Sequence, residues 1–321
     1  MTVRQLAIIG VALAIGVAAR AADYPTHPIK LIVPTAPGGI NDIVARLIQP
    51  GLTEALKQPI VIENKTGANN IIGTDFVAKS AADGYTLVVV PASHSVNPAV
   101  RTKMPFDTEK DLTPIILVGK NAMLFLVNPR VPAKTLRDFA ALAKASPNKF
   151  SFATPGMASQ AHLVISQWDN MAGVAAIHIP YRGGAPATLA TIAGETQFTV
   201  MSSLLAAPQV EAGKLRALAI GSLKRDPHFP DVPTMSEAGY PGIEAVTWVG
   251  LFAPAGTPRE IVAKLNKVID GIIHEPDVAE KLDKQGIVVA GGPPEVLGRL
   301  VDVEIKRWTD VARQNHISVG R

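Results

Sequence analysis

Short apolar runs alternate with longer helical patterns along this chain, and the alternation restricts the fold more than any other feature. Runs that are hydrophobic at consecutive positions and separated by helices are typical of parallel strands covered on both faces. The candidate strands are 29–33, 60–62, 87–90, 115–117, 123–127, 150–153, 176–179, 197–200 and 215–220. The candidate helices are 41–56, 71–79, 136–145, 160–172, 186–193, 259–272, 276–285 and 294–314. The predicted fold class is α/β with doubly wound sheets.

The first 21 residues have the composition of a secretory signal peptide. Arg4 gives a basic start, residues 6–17 are apolar, and Ala19-Arg20-Ala21 fits a small-x-small cleavage site. The apolar run is shorter than the roughly 20 residues that a membrane span needs. We therefore expect residues 1–21 to be removed, with a membrane anchor or a buried helix as the alternatives.

Composition excludes several classes of function. The chain has no Cys, so disulfides, thiolate nucleophiles and Cys-based zinc sites are ruled out. Without Arg4 and Arg20 it carries 29 basic and 27 acidic residues, a net charge of +2 with no dense basic run. Neither this balance nor an aromatic content of 5% fits a nucleic-acid partner.

The segment 29–46 predicts a buried strand, a Pro/Gly turn and the start of a helix. Such a turn leaves main-chain N–H groups free at the positive end of the helix dipole, which suits an anion. Gly38 and Gly39 either allow close approach of a ligand or only make the turn tight. Asp42 and Arg46, four apart, predict a surface ion pair, and Asp42 suits a cap better than a ligand contact.

Two later junctions resemble this one. Residues 150–172 place Ala-Thr-Pro-Gly-Met-Ala-Ser between a strand and a helix, and 178–186 end in Gly-Gly-Ala-Pro before another helix. Ligands of open α/β sheets bind outside the carboxyl ends of strands. We therefore expect the loops 34–41, 154–159 and 181–186 to face each other across a cleft.

The facing loops imply two domains. We expect domain 1 to comprise residues 22–121 and 248–321, and domain 2 to comprise residues 122–247. Because the chain would cross twice, the connection should act as a hinge that closes on a ligand.

Motifs for catalysis and for metal or nucleotide binding are missing from the sequence. It contains no G-x-G-x-x-G, no G-x-x-x-x-G-K-[ST], no G-x-S-x-G and no pair of His four residues apart. We expect no cofactor, no metal and no enzyme activity. The alternative from another class is a secreted hydrolase that uses Ser93 or Ser159 with His94 or His162.

Three individual residues remain ambiguous at this point. Ser93 and His94 follow the strand 87–90, and a place in the site and a structural role are equally open for them. His162 is better placed to close a helix cap behind Ser159 than to bind. Trp248 suits hinge or core packing better than a ligand platform.

Several motifs together resemble a known family, the Bug or TctC-like receptors of tripartite tricarboxylate transporters. The matching pieces run the full length after the leader. They are Pro28-Ile-Lys-Leu-Ile-Val-Pro34, Pro37-Gly-Gly-Ile-Asn-Asp42, Val61-Ile-Glu-Asn-Lys-Thr-Gly67, Ala82-Asp-Gly-Tyr-Thr-Leu87, Ile179-Pro-Tyr-Arg-Gly-Gly-Ala-Pro186, Asp231-Val-Pro-Thr-Met-Ser-Glu-Ala-Gly239 and Trp248-Val-Gly-Leu-Phe-Ala-Pro-Ala-Gly-Thr-Pro258.

The resemblance implies a type II periplasmic-binding-protein, or Venus flytrap, fold and a periplasmic location. It also implies a monomer that hands a small mono- or dicarboxylate, an amino acid or an aromatic acid to membrane transporter subunits; docking on a signalling receptor is the alternative. Its ligand contacts are largely main-chain N–H groups. They map onto Thr35, Ala36, Pro37, Gly38, Gly39, Ile40, Ser93, His94, Thr154, Gly156, Ser159, Arg182, Gly183 and Gly184. Thr35 departs from the family, since many relatives carry an aromatic residue there.

Overall fold

The computed structural model describes residues 24–319, so the predicted signal peptide lies outside the described residues. The strands are β1 (Ile29–Val33), β2 (Ile60–Asn64), β3 (Thr86–Pro91), β4 (Leu112–Val127), β5 (Ser151–Thr154), β6 (Ile177–Pro180), β7 (Phe198–Ser202), β8 (Arg216–Ile220), β9 (Val246–Pro254) and β10 (Val288–Val289). The helices are α1 (Ile40–Leu56), α2 (Ile71–Ala78), α3 (Ser93–Val100), α4 (Leu136–Ala145), α5 (Gln160–Ala172), α6 (Gly184–Ala193), α7 (Ser203–Glu211), α8 (Arg259–Ile273), α9 (Pro276–Asp283) and α10 (Pro294–Gln314).

The strands form one continuous path in the order β2-β1-β3-β9-β4-β7-β5-β6, with β8 and β10 pairing on β4. The first half of the sheet, as far as β4, has β1 parallel to β2 and β3. The second half, beyond β4, has β5 parallel to β6 and β7. In each half the carboxyl ends of these parallel strands therefore lie at one edge.

Strand β4 joins the two halves. It is a single strand of 16 residues where two short strands were expected. Its first part pairs with β9 as far as Ala122, and its second part pairs with β7 from Met123 onward. Every pairing of β4, and the β3–β9 pairing, is antiparallel. The expectation of parallel strands is therefore wrong for β4 and β8. Strands β9 and β10 were not among the predicted strands.

Each half of the sheet has its own apolar core. Around the first half, β1 packs with α1 and α8 through side chains such as Leu31, Ile48 and Leu265. Around the second half, the ring centroids of Phe125 and Trp168 lie 4.8 Å apart in an aromatic cluster.

Helix α10 contributes to two of the cores. Leu297 and Val301 pack with β9 and its neighbours, whereas Trp308 and Val311 pack with the aromatic cluster of the second half. The domain boundaries given above stay a prediction.

Residues 24–319 contain neither a membrane-spanning helix nor a cluster of metal-ligating side chains. None of the helices there is both long and apolar enough to cross a membrane. Nor does that part of the chain contain a group of three or more His, Cys, Asp or Glu side chains able to hold a metal ion.

Candidate functional site

The loop between β1 and α1 is held in place by the side chain of Asp42. Its carboxylate accepts the Gly38 N–H at 2.9 Å, two bonds from Arg46 at 2.9 and 3.0 Å, and one from Asn64 Nδ2 at 2.9 Å. The hydrogen bond from Arg46 is the main cause that lowers the pKa of Asp42 to about 2. The expected ion pair forms, but its Asp42 end is only 3% exposed, so the prediction of a surface pair is wrong. Asp42 organises the loop.

The start of α1 leaves several main-chain donors free. Gly39 is the N-cap residue and has no side-chain cap, and Gly38 has a φ of +78°, where a side chain is strained. Across residues 24–319 the N–H groups of residues 40, 41 and 42 have no acceptor. Because Arg46 neutralises the Asp42 carboxylate, the partial positive charge of this helix end is not cancelled.

Two buried side-chain atoms beside these donors also have no partner. They are Thr35 Oγ1 and Asn41 Oδ1. Asn41 is fully buried and uses its amide N–H on the Val89 carbonyl at 3.1 Å, so its oxygen stays free to accept. A buried polar atom without a partner is costly, and a ligand or a water that supplies one removes the cost. Thr35 thus places a free hydroxyl oxygen next to Gly39.

The loop that follows β2 is joined to helix α3 by amide side chains. Asn70 Nδ2 donates to Ser93 Oγ at 2.6 Å, and Asn69 and Asn97 exchange two bonds of 2.8 Å. Asn69 and Asn70 both have positive φ, which asparagine tolerates better than most residues. No site role was predicted for Asn69 and Asn70; the available signal was the pair of adjacent asparagines shortly after β2.

Ser93 and His94 were expected in the loop after the strand 87–90. They instead form the first turn of helix α3. His94 is 4% exposed, and the centroid of its ring lies 4.9 Å from that of Phe252. Its Nε2 atom has no hydrogen-bond partner within residues 24–319. Burial lowers its pKa to about 3, so the ring is neutral. The N–H groups of residues 93 and 94 lack an acceptor within residues 24–319, so these two positions offer main-chain donors.

The second predicted loop, 154–159, leads into α5. Ser159 is the N-cap, and its hydroxyl accepts the His162 N–H at 3.3 Å, as expected for a cap closed by that residue. Thr154 Oγ1 bonds to the carbonyl of Gly156 at 3.0 Å. The N–H groups of residues 160 and 161 find no acceptor in the described part of the chain.

The third predicted loop adjoins the second. The Gly183 N–H donates to the Pro155 carbonyl at 3.0 Å, and α6 begins at the next residue. Gly183 has a φ of +114° and open space where a Cβ would stand. Arg182 is exposed and makes no ion pair within residues 24–319. This end of the second half thus combines a free cation with unpaired main-chain donors at residues 184 and 185.

The structure thus gathers the predicted residues into two groups. Thr35 to Ile40, Ser93 and His94 lie at the carboxyl ends of β1 and β3. Thr154, Gly156, Ser159 and Arg182 to Gly184 lie at those of β5 and β6.

A serine nucleophile with a histidine base is not assembled. In the part of the chain that the structure describes, Ser93 Oγ accepts from Asn70 and Ser159 Oγ accepts a main-chain N–H. Neither hydroxyl is hydrogen-bonded to an imidazole, as the activation of a serine requires.

Comparison with known proteins defines the class of this fold. The R. palustris protein Rpa4515 with adipate matches with a TM-score of 0.83 at 33% identity, covering 93% of this chain and 100% of that one. MatC from Rhodopseudomonas palustris with bound malate matches with a TM-score of 0.78 at 36% identity, covering 90% and 99%. The periplasmic binding protein BugD matches with a TM-score of 0.79 at 31% identity, covering 93% of this chain and 100% of that one. The chain therefore has the α/β fold of periplasmic binding proteins.

The sequence narrows the class to one family. Residues 44–317 match the model of the tripartite tricarboxylate transporter family receptor. BugT of Bordetella pertussis is 38% identical over 317 residues, which cover 97% of this chain and 97% of that protein. The chain belongs to the TctC family of tripartite tricarboxylate transporter receptors, and the predicted resemblance is confirmed.

Proposed function

We propose that this protein captures a small organic carboxylate between the two groups of loops, in the periplasm, and delivers it to the membrane subunits of a tripartite tricarboxylate transporter. The observation that carries the proposal is the set of unpaired main-chain N–H groups at the starts of α1, α3, α5 and α6. Free N–H donors at the positive ends of helices suit a carboxylate. The family match and the adipate and malate bound by two relatives support the same class of ligand.

The hydrogen bonds from free N–H groups can supply the binding free energy that such a ligand needs. A hydrogen bond to a charged group contributes about 1.5–3 kcal/mol. A micromolar dissociation constant corresponds to about 8 kcal/mol after the costs of association are met. Several N–H bonds to one or two carboxylates supply this without a buried unpaired cation, which would be unfavourable in the empty protein.

Gly39→Val tests the first loop. A φ of −73° admits valine, but its Cβ would stand 3.2 Å from the Ala36 carbonyl oxygen, at the start of the free donors. We expect at least a hundredfold loss of affinity in calorimetry with a panel of mono- and dicarboxylates that includes malate and adipate. The melting temperature should change little.

Gly271→Ala is the matched control, because it lies in α8 with open space at its Cβ. It should bind like the wild type. No heat from any acid of the panel with the wild type would contradict the proposed function; equal affinity in Gly39→Val would remove this loop from the site.

A further inference from the structure

Two histidines stack beneath the loop 154–159 of the second half. The rings of His162 and His178 have centroids 3.8 Å apart and planes inclined by 17°. Phe152 stacks on His178 at 4.9 Å. Neither imidazole is among the residues assigned to ligand contact above, and they come from different elements, α5 and β6.

Each ring bonds to a different end of the loop. His178 Nε2 lies 2.6 Å from Thr154 Oγ1, at the first residue of the loop. His162 Nδ1 accepts the Ala158 N–H at 3.1 Å, at the residue before the cap. Between these points, Thr154 Oγ1 also bonds to the main chain of Gly156.

The hydrogen bonds determine which nitrogen carries the hydrogen in each neutral ring. Because His162 Nδ1 accepts, the neutral ring carries its hydrogen on Nε2. Thr154 has one hydroxyl hydrogen; when it is donated to the Gly156 carbonyl, His178 Nε2 must be the donor to the hydroxyl. Burial lowers the pKa of each ring to about 4, so both are neutral at the pH of ordinary growth media.

The loop needs such support. Ala158 has a φ of +55°, a left-handed conformation that is unfavourable for an L-residue with a Cβ. Gly156 has a φ of +156° and little packing around it. A loop with this backbone keeps its donors aimed only if other groups hold it.

We propose that His178 and His162 are positioning residues, which hold the loop 154–159 in the conformation that presents its main-chain donors to the carboxylate. This inference rests on the proposed function, because the loop matters to binding only if the ligand lies there. Simple aromatic packing is the rival explanation, and phenylalanine would satisfy packing equally well.

The test uses paired variants of the full-length mature protein. His178→Phe and His162→Phe keep a stacked ring but remove the bonds to Thr154 and Ala158. His178→Gln places an amide N–H near the position of Nε2, and His162→Asn places an oxygen near the position of Nδ1. His228→Gln, an exposed histidine, is the control.

Two measurements separate the inference from the proposed function. In hydrogen–deuterium exchange of the ligand-free protein, we expect about tenfold faster exchange within 156–158 for both Phe variants and recovery in His178→Gln and His162→Asn. In calorimetry with malate and adipate, we expect about tenfold weaker binding for the Phe variants.

Unchanged exchange in both Phe variants would overturn the inference. So would faster exchange that the polar variants do not reverse, because that result indicates packing alone. If exchange follows the expected pattern but the wild type binds neither acid nor any other member of the panel, the positioning stands and the proposed function fails.

Discussion

At the scale of single residues, the same residue types take opposite roles according to what surrounds them. Asp42 is buried but has three partners, and its pKa falls to about 2. Asp169 is largely buried, its Oδ1 has no partner, and burial raises its pKa to about 8. The Asp42 carboxylate stabilises the loop between β1 and α1, whereas the buried Asp169 carboxyl destabilises the folded state when it is ionised.

Asp169→Asn should therefore stabilise the protein in a pH-dependent way. Between pH 3.8 and 8 the unfolded chain has lost the Asp169 proton and the folded chain keeps it, so this residue makes stability fall as pH rises. An isosteric amide removes the effect. We expect equal melting temperatures for variant and wild type at pH 4 and a higher one for the variant at pH 7.5.

Asp302→Asn, at an exposed position of α10, is the control and should shift neither value. A difference between Asp169→Asn and wild type that is the same at both pH values would show that the Asp169 carboxyl does not titrate as described.

At this scale the contacts that could be predicted from the sequence are those between residues close together in the chain. The Asp42–Arg46 pair and the cap at Ser159 span three or four residues, and both are present. The bond between Thr154 and His178 spans 24 residues, and the burial of Asp42 depends on Asn64 from β2. No local pattern carries such information.

At the scale of elements, helix α10 is tied to β9 and α3 through Glu304. Its Oε2 atom accepts from Trp248 Nε1 at 2.8 Å and lies 2.5 Å from Ser95 Oγ, and burial raises the pKa of this carboxyl. Three residues on, Arg307 donates to the Glu244 carbonyl and to Gln167 Oε1. One helix thus bonds to elements of both halves of the sheet.

Glu304→Ala should be severely destabilising. It leaves the Trp248 N–H buried without an acceptor and opens a cavity, and together these cost about 2–4 kcal/mol. Glu304→Gln keeps an acceptor and should cost less than about 1 kcal/mol. Urea unfolding followed by tryptophan fluorescence measures both.

Glu295→Ala, exposed in the first turn of the same helix, is the control and should lose at most about 1 kcal/mol through the helix dipole. An equally small loss in Glu304→Ala would mean that the carboxyl does not support the Trp248 N–H.

Elements were predicted best where hydrophobic periodicity is strong and worst where the chain stays extended or a proline intervenes. The ranges 29–33, 136–145, 160–172 and 294–314 match the structure at both ends. The residues between 117 and 123 were predicted as a break between two strands, yet β4 continues through them with one irregularity between Leu117 and Gly119. Helix α3 is absent from the predicted helices, because a proline disfavours a helix interior, yet Pro98 is accommodated inside it.

At the scale of the whole molecule, the sequence indicated an α/β chain but not the direction of its central strands. A strand that is apolar at every position has the same pattern whether its neighbours are parallel or antiparallel. The antiparallel β4 and β9 in the middle of the sheet therefore had no local signal. Their pairing makes β4 the strand shared by both halves, and the candidate loops lie at strand ends on either side of it.

The central claim is that loops from both halves bind one carboxylate. It is tested most directly by hydrogen–deuterium exchange of the wild type with and without saturating malate or adipate, whichever calorimetry shows to bind. We predict increased protection in residues 35–42 and, together with it, in 154–161 and 183–186. Protection confined to residues 35–42, confined to 154–161 and 183–186, or found only outside these ranges would contradict the account.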